Sequence, residues 1–220
     1  MKTPSRLLAL ALTCALSLLA GPALAQSRGF YLNADAGAAL ADDVDLKRFV
    51  TPTPGAKMKL ETGGRFSVAG GYNFNDYFGA QVETGFIFND VKSVSGTSYF
   101  DAAVGHSPLL VSAVLRYDQP RCPVVVFGGA GVGGDISIIS LDWARGPNGV
   151  FVDGDSSTAV FAWQAFAGVR YKINERISLG ASYKFYWADS ASFDVDHTPG
   201  DIKIGEARVH SVLVDFNFKF

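Results

Sequence analysis

The sequence predicts an all-β fold, an eight-stranded antiparallel up-and-down transmembrane β-barrel with short periplasmic turns and long extracellular loops. Three observations predict it. Apolar and polar residues alternate with period two, the strand period, over more than half of residues 26–220. Long and short connections alternate without exception. The chain also opens with the three parts of an export signal. Composition closes other routes: 48% hydrophobic, 18% charged and 13% aromatic residues exclude a disordered chain. A formal charge of −2 excludes the basic stripe of a nucleic-acid binder.

Residues 1–25 read as a secretory signal to be removed. Lys2 and Arg6 give the basic start, Leu7 to Ala20 the apolar run, and Gly21-Pro22 a helix break. Ala23-Leu24-Ala25 is a small-x-small cleavage pattern before Gln26. The run is shorter than the roughly 20 residues of a spanning helix. Cys14 follows Thr13 in mid-run, which excludes a lipoprotein signal. Cleavage leaves Cys122 as a lone thiol, without an intramolecular disulfide or CxxC metal site. Residues 26–220 are then expected to form one barrel domain.

The expected strands are Phe30–Leu40, Thr62–Phe74, Phe78–Asn89, Pro108–Tyr117, Val124–Ile139, Thr158–Ile173, Ile177–Trp187 and Arg208–Phe220. The last shows the pattern best. Val212, Val214, Phe216, Phe218 and Phe220 share one face, and Ser211, Leu213, Asp215, Asn217 and Lys219 the other. Four connections are long: Ala41–Glu61, Asp90–Ser107, Ser140–Ser157 and Ala188–Ala207. Three are short: Asn75–Tyr77, Asp118–Pro123 and Asn174–Arg176. An outer-membrane barrel places its loops this way. GGYNFNDYFGAQVETGF and VRYKINERISLGASYKF align as two equivalent hairpins, Asn75 matching Asn174 and Tyr72 matching Tyr171.

Lipid offers no hydrogen bonds, so the apolar faces must point outward and the polar faces inward. Asp35, Arg65, Glu83, Arg116, Arg170, Lys184 and Asp215 are expected to form a polar network in the lumen, joined by Gln81, Gln164 and Lys219. Both signs of charge are present, and unpaired charges in a narrow interior are costly. Gly129, Gly131 and Gly133 face inward and leave room for long Arg and Lys chains opposite. Gly129 to Gly134 also match G-x-G-x-x-G, but the following ISIIS is strand-like, which excludes a dinucleotide site. Aromatic residues near strand ends, among them Tyr72, Phe74, Tyr77, Phe78, Tyr117, Tyr171 and Trp187, suit interfacial girdles.

The opening GFYLNADAGAAL, the NFNDYFGAQVETGF hairpin and the terminal FNFKF resemble the small outer-membrane barrel family, which includes the OmpA-type transmembrane domain and the opacity-type surface proteins. The resemblance spans Gln26–Phe220. It implies residence in the outer membrane and contact with its lipids, lipopolysaccharide included. It also implies a terminal aromatic assembly signal, Phe220 with Phe218 and Phe216, read by the barrel-assembly machinery. The peptidoglycan-binding domain of full OmpA-type proteins is not expected after the last strand.

The expected function is a non-enzymatic structural or surface scaffold, a monomer with acidic extracellular loops. No cofactor, metal or catalytic residue is assigned. Asp189, Asp194, Asp196, Asp201 and Glu206 lack ordered cation-binding spacing, so a solvated acidic loop is expected. A narrow channel for ions or small solutes is the alternative. A lipid-modifying enzyme is a weaker one, because His106-Ser107 and His210-Ser211 are adjacent and point to opposite faces.

Overall fold

The computed structural model describes residues 28–97, 101–118, 122–194 and 200–220. The signal read at residues 1–25 lies outside them. The strands, in chain order, are β1 (Gly29–Ala41), β2 (Val44–Phe49), β3 (Thr51–Pro52), β4 (Lys57–Leu60), β5 (Gly63–Asn73), β6 (Phe78–Val94), β7 (Asp101–Tyr117), β8 (Val124–Arg145), β9 (Phe151–Lys172), β10 (Ile177–Ala188), β11 (Ser192–Asp194), β12 (Asp201–Ile204) and β13 (Ala207–Lys219). Eight of them close a ring, β1-β5-β6-β7-β8-β9-β10-β13 and back to β1, with every pairing antiparallel. The ring has no free edge, so its backbone can cross lipid.

Four wall strands run well past the expected limits. Both β8 and β9 have 22 residues, and β6 and β7 have 17, against about 9–11 needed to span a bilayer. The extensions reverse the polarity of the two faces. Lower on β8, Val126, Val132 and Ile136 point outward and Asp135 and Ser137 inward; higher up, Ile139 and Leu141 point inward and Ser140 and Asp142 outward. β6 switches likewise, from outward Phe86 and Phe88 to outward Asp90 and Lys92. The switch marks the level where lipid gives way to water. Ser140 Oγ donates to Asp155 Oδ1 across the outer face above it, at 2.5 Å.

The expected long loops are therefore shorter and more structured. Residues 90–94 and 101–107 belong to β6 and β7, and residues 140–145 and 151–157 to β8 and β9. The first and last loops add a sheet on the barrel rim, in the order β11-β12-β2-β4-β6. Its apolar side faces the barrel mouth. Leu46, Phe49, Met58, Phe193, Ile202 and Ile204 pack there against Val104, Ile139 and Leu141 from the wall. Phe49 and Phe193 are completely buried. The extracellular side is a folded cap with its own core.

The Asn75 and Asn174 turns repeat one geometry. Asn75 Oδ1 accepts from the backbone N–H of Tyr77 (2.8 Å) and Phe78 (2.7 Å). Asn174 Oδ1 accepts from Arg176 (2.9 Å) and Ile177 (2.8 Å). Each carboxamide satisfies two N–H groups that the turn leaves unpaired. Replacing Asn174 by Ala is expected to cost about 1 kcal/mol, read as a lower urea midpoint of the detergent-refolded barrel. An unchanged midpoint would show that the turn does not depend on the side chain.

Candidate functional site: the packed lumen

Inward-facing polar side chains fill the barrel in layers. At the periplasmic end, Asp118 accepts from Lys172 Nζ (2.7 Å), Lys219 Nζ (2.6 Å) and Arg116 Nη1 (3.3 Å). The Arg116 guanidinium also donates to the Asn75 carbonyl at 2.9 Å. Arg116 thus stands apart from the other charges assigned to the lumen network, because it lies at the very end of β7.

Burial opposes charge on Asp118, but hydrogen bonds from Lys172 and Lys219 outweigh it and hold the carboxyl below its ordinary pKa. The native state therefore binds the Asp118 proton more weakly than the unfolded chain does. The resulting stability is complete above the unfolded carboxylate value of about 3.9 and is lost as pH falls through the lower native value. Asp118→Asn is expected to weaken the barrel at pH 7 and to flatten this part of its acid denaturation curve. Unfolding curves measured from pH 7 to pH 2 check both effects. Parallel curves for wild type and variant contradict them.

The middle layer is charge-balanced, with Arg65, Arg170 and Lys184 facing Asp35, Glu83 and Asp215. Lys184 Nζ donates to Glu83 Oε1 (2.7 Å), Asp35 Oδ2 (2.8 Å) and Ser67 Oγ (3.0 Å). Arg65 Nη2 bridges Glu83 Oε1 (3.0 Å) and Gln164 Oε1 (2.7 Å). Gln81 donates to Glu83 Oε2 at 3.2 Å and accepts from the Tyr31 hydroxyl at 3.0 Å. Arg170 grips Asp215 through Nε and Nη2 and stacks on the Phe127 ring at 3.8 Å. Asn33 Nδ2 donates to both Asp35 and Asp215, which separates two like charges paired across β1 and β13. Lys184 and Glu83 have side chains only 4% and 1% exposed.

Above this lies a trio that neighbour-by-neighbour reading of the sequence missed. His106 on β7 meets Asp135 and Ser137 on β8. The distances are 2.8 Å from His106 Nδ1 to Asp135 Oδ2, 2.7 Å from Ser137 Oγ to the same oxygen, and 3.2 Å from Ser137 Oγ to His106 Nδ1. The Tyr186 ring packs against the imidazole at 5.7 Å. Asp135-x-Ser137 on one strand face, beside an inward His, was the available signal. The serine and the carboxylate share one ring nitrogen, so they do not form a nucleophile–base–orienter chain. All three residues are buried.

The inward glycines of β8 do something other than make room for Arg and Lys. A Cβ on Gly131 would lie 2.1 Å from Ser112 Oγ, and one on Gly133 2.0 Å from the Leu109 carbonyl. They allow β7 to approach β8 closely. β8 continues as a strand through the G-x-G-x-x-G segment.

The outer wall carries the aromatics near the short turns. Phe30, Tyr72, Phe74 and Phe78 form a chain of ring contacts with centroids 4.9–5.6 Å apart. Phe216 and Phe220 are exposed on the same wall, and Phe218 meets Phe220 edge-on at 5.3 Å.

The fold is a closed antiparallel ring with an apolar belt outside and paired charges inside. The model of the outer membrane protein beta-barrel domain family matches residues 11–220. The chain belongs to this family. It is an outer-membrane β-barrel protein, and the lipid-facing belt is its membrane surface. Two solved members of this architecture share the fold. Neisserial surface protein A is 19% identical, with a TM-score of 0.54, over 87% of this chain and 97% of that one. OprG of Pseudomonas aeruginosa is 13% identical, with a TM-score of 0.59, over 90% of this chain and 100% of that one. No curated protein matches the chain.

Proposed function

We propose that the protein is a non-enzymatic surface scaffold, a closed barrel that holds a folded cap at the cell surface. The observation that carries this reading is the packing of buried side chains along the lumen among the described residues. Charge pairs occupy its lower half, and apolar side chains of the cap core pack at its top. An eight-stranded barrel has only enough interior for such side chains. The same packing argues against the channel alternative, and the buried, misaligned His106 trio argues against lipid hydrolysis. Residues 1–25 are read as a cleaved signal, and outer-membrane lipids, lipopolysaccharide included, as the surroundings of a monomer.

Liposomes carrying the refolded protein test the reading. Swelling in small sugars and amino acids at the rate of empty liposomes is expected, with no release of fatty acid. Solute-dependent swelling supports a channel, and fatty-acid release supports an enzyme.

Phe216, Phe218 and Phe220 are read as the assembly signal. Deleting Phe220 is expected to lower the membrane yield in cells while leaving refolding in detergent intact. Equal membrane yields would contradict that role.

A further inference from the structure

We infer that the outer wall holds one glycerophospholipid of the periplasmic leaflet, with an acyl chain seated in a groove across β1, β5, β6 and β7 and its phosphate beside Arg28. The inference rests on the lipid-facing wall and is independent of whether the lumen conducts. The groove has a volume of about 690 Å³ and an almost wholly apolar surface. Strand register shows how it arises. One row of outward residues runs Leu32, Gly70, Val82 and Val111 across the four strands. The next row toward the periplasm runs Phe30, Tyr72, Ala80 and Ala113. Gly70 stands between Leu32 and Val82, and Ala80 lies diagonally beside it, so the wall sinks where the two rows meet. Among the described residues, a Cβ on Gly70 would meet only Leu32 Cδ2, at 3.9 Å. The place a side chain would take there is open.

The surroundings decide the occupant. In hydrocarbon no hydrophobic drive favours protein over lipid, so packing governs contact, and unfilled space forfeits dispersion energy. An acyl chain is the filler the bilayer itself supplies, and it is thin and flexible enough to follow a concave wall. A second barrel would bring a convex wall to the same place and fill it less well. Height selects the leaflet. Phe30 and Tyr72 meet edge-on at 4.9 Å and belong to the aromatic girdle beside the short turns, which marks the periplasmic interface. That leaflet is built of glycerophospholipid. Arg28 is exposed directly before β1, two residues from Phe30. A guanidinium at this level lies among the headgroups and can donate to a phosphate while its stem rests on apolar surface. An apolar groove ending at a cation thus matches an apolar chain ending at a phosphate.

Native mass spectrometry of the refolded protein, released from vesicles of phosphatidylethanolamine, phosphatidylglycerol and lipid A, tests the site. A monomer carrying one phospholipid is expected. A bare monomer, or lipid A in place of the phospholipid, overturns the proposal. A bare dimer also overturns it, because a second copy then covers the groove. Gly70→Leu fills the groove from the wall and should lose most of the retained phospholipid, with the heat-modifiable gel shift confirming that the barrel is folded. Should that variant not fold, Ala80→Leu serves instead. Retention equal to wild type in the folded variant overturns the groove assignment. Arg28→Gln should lower retention without changing the fold, and unchanged retention overturns the phosphate contact. Liposome swelling is expected to be the same for all these variants, which keeps this test separate from that of the closed lumen.

Discussion

Replacing Lys184 by Met is expected to lower the unfolding free energy of the refolded barrel by about 3–5 kcal/mol. The ammonium is the shared partner of Asp35 and Glu83, both buried, at 2.8 and 2.7 Å. Methionine nearly preserves the volume, so the loss reports charge rather than packing. Asp35 retains Ser67 and Asn33, and Glu83 retains Arg65 and Gln81. The layer nevertheless keeps three carboxylates against two cations in a low-dielectric interior. Adding Glu83→Gln should restore part of the loss, because it rebalances the charge; the double-mutant cycle isolates this coupling. Urea unfolding in detergent checks it. A Lys184→Met midpoint equal to wild type would show that these carboxylates are solvated and the lumen is wet.

Phe49→Ala is expected to open the cap and leave the barrel standing. The ring is fully buried in the cap core and lies against the backbone of Gly146, where an added Cβ would come within 2.1 Å of it. Asn148 Nδ2 donates to the Phe49 carbonyl at 2.6 Å and ties the β8–β9 connection to β2. Emptying this position should cost about 3–5 kcal/mol locally. The cap strands are short, and only the wall supports them, so the loss exposes them to protease on intact cells. The heat-modifiable gel shift of the folded barrel should persist. Protease resistance equal to wild type would contradict the view of the cap as a separately packed core.

The ring was legible in the sequence because lipid outside and charge inside enforce alternation along every membrane strand. The extensions were not, because the alternation changes phase on the same strand. Ile136 faces lipid, whereas Ile139 faces the cap core. A reading that follows one apolar face ends where that face turns polar. β2, β4 and β12 were hidden for a different reason. They are four to six residues long, and Phe49 pairs with Ile202 far along the chain, beyond any local pattern.

In the lumen, the inward face of each charge was legible but its height was not. Height depends on strand register, which brings Lys184 between Asp35 and Glu83 and leaves Arg116 at the mouth with Asp118. The His106 trio was missed because its partners lie across the β7–β8 pairing, His106 opposite Ser137, and not beside His106 in the chain.

Paired charges and an apolar cap are proposed to close the barrel to ions. Planar-bilayer recording of the wild-type protein tests it most directly. A baseline without steady conductance at either polarity is expected in about 1 M potassium chloride, where surface charge is screened. Stable, ohmic steps that scale with the number of inserted barrels would contradict it.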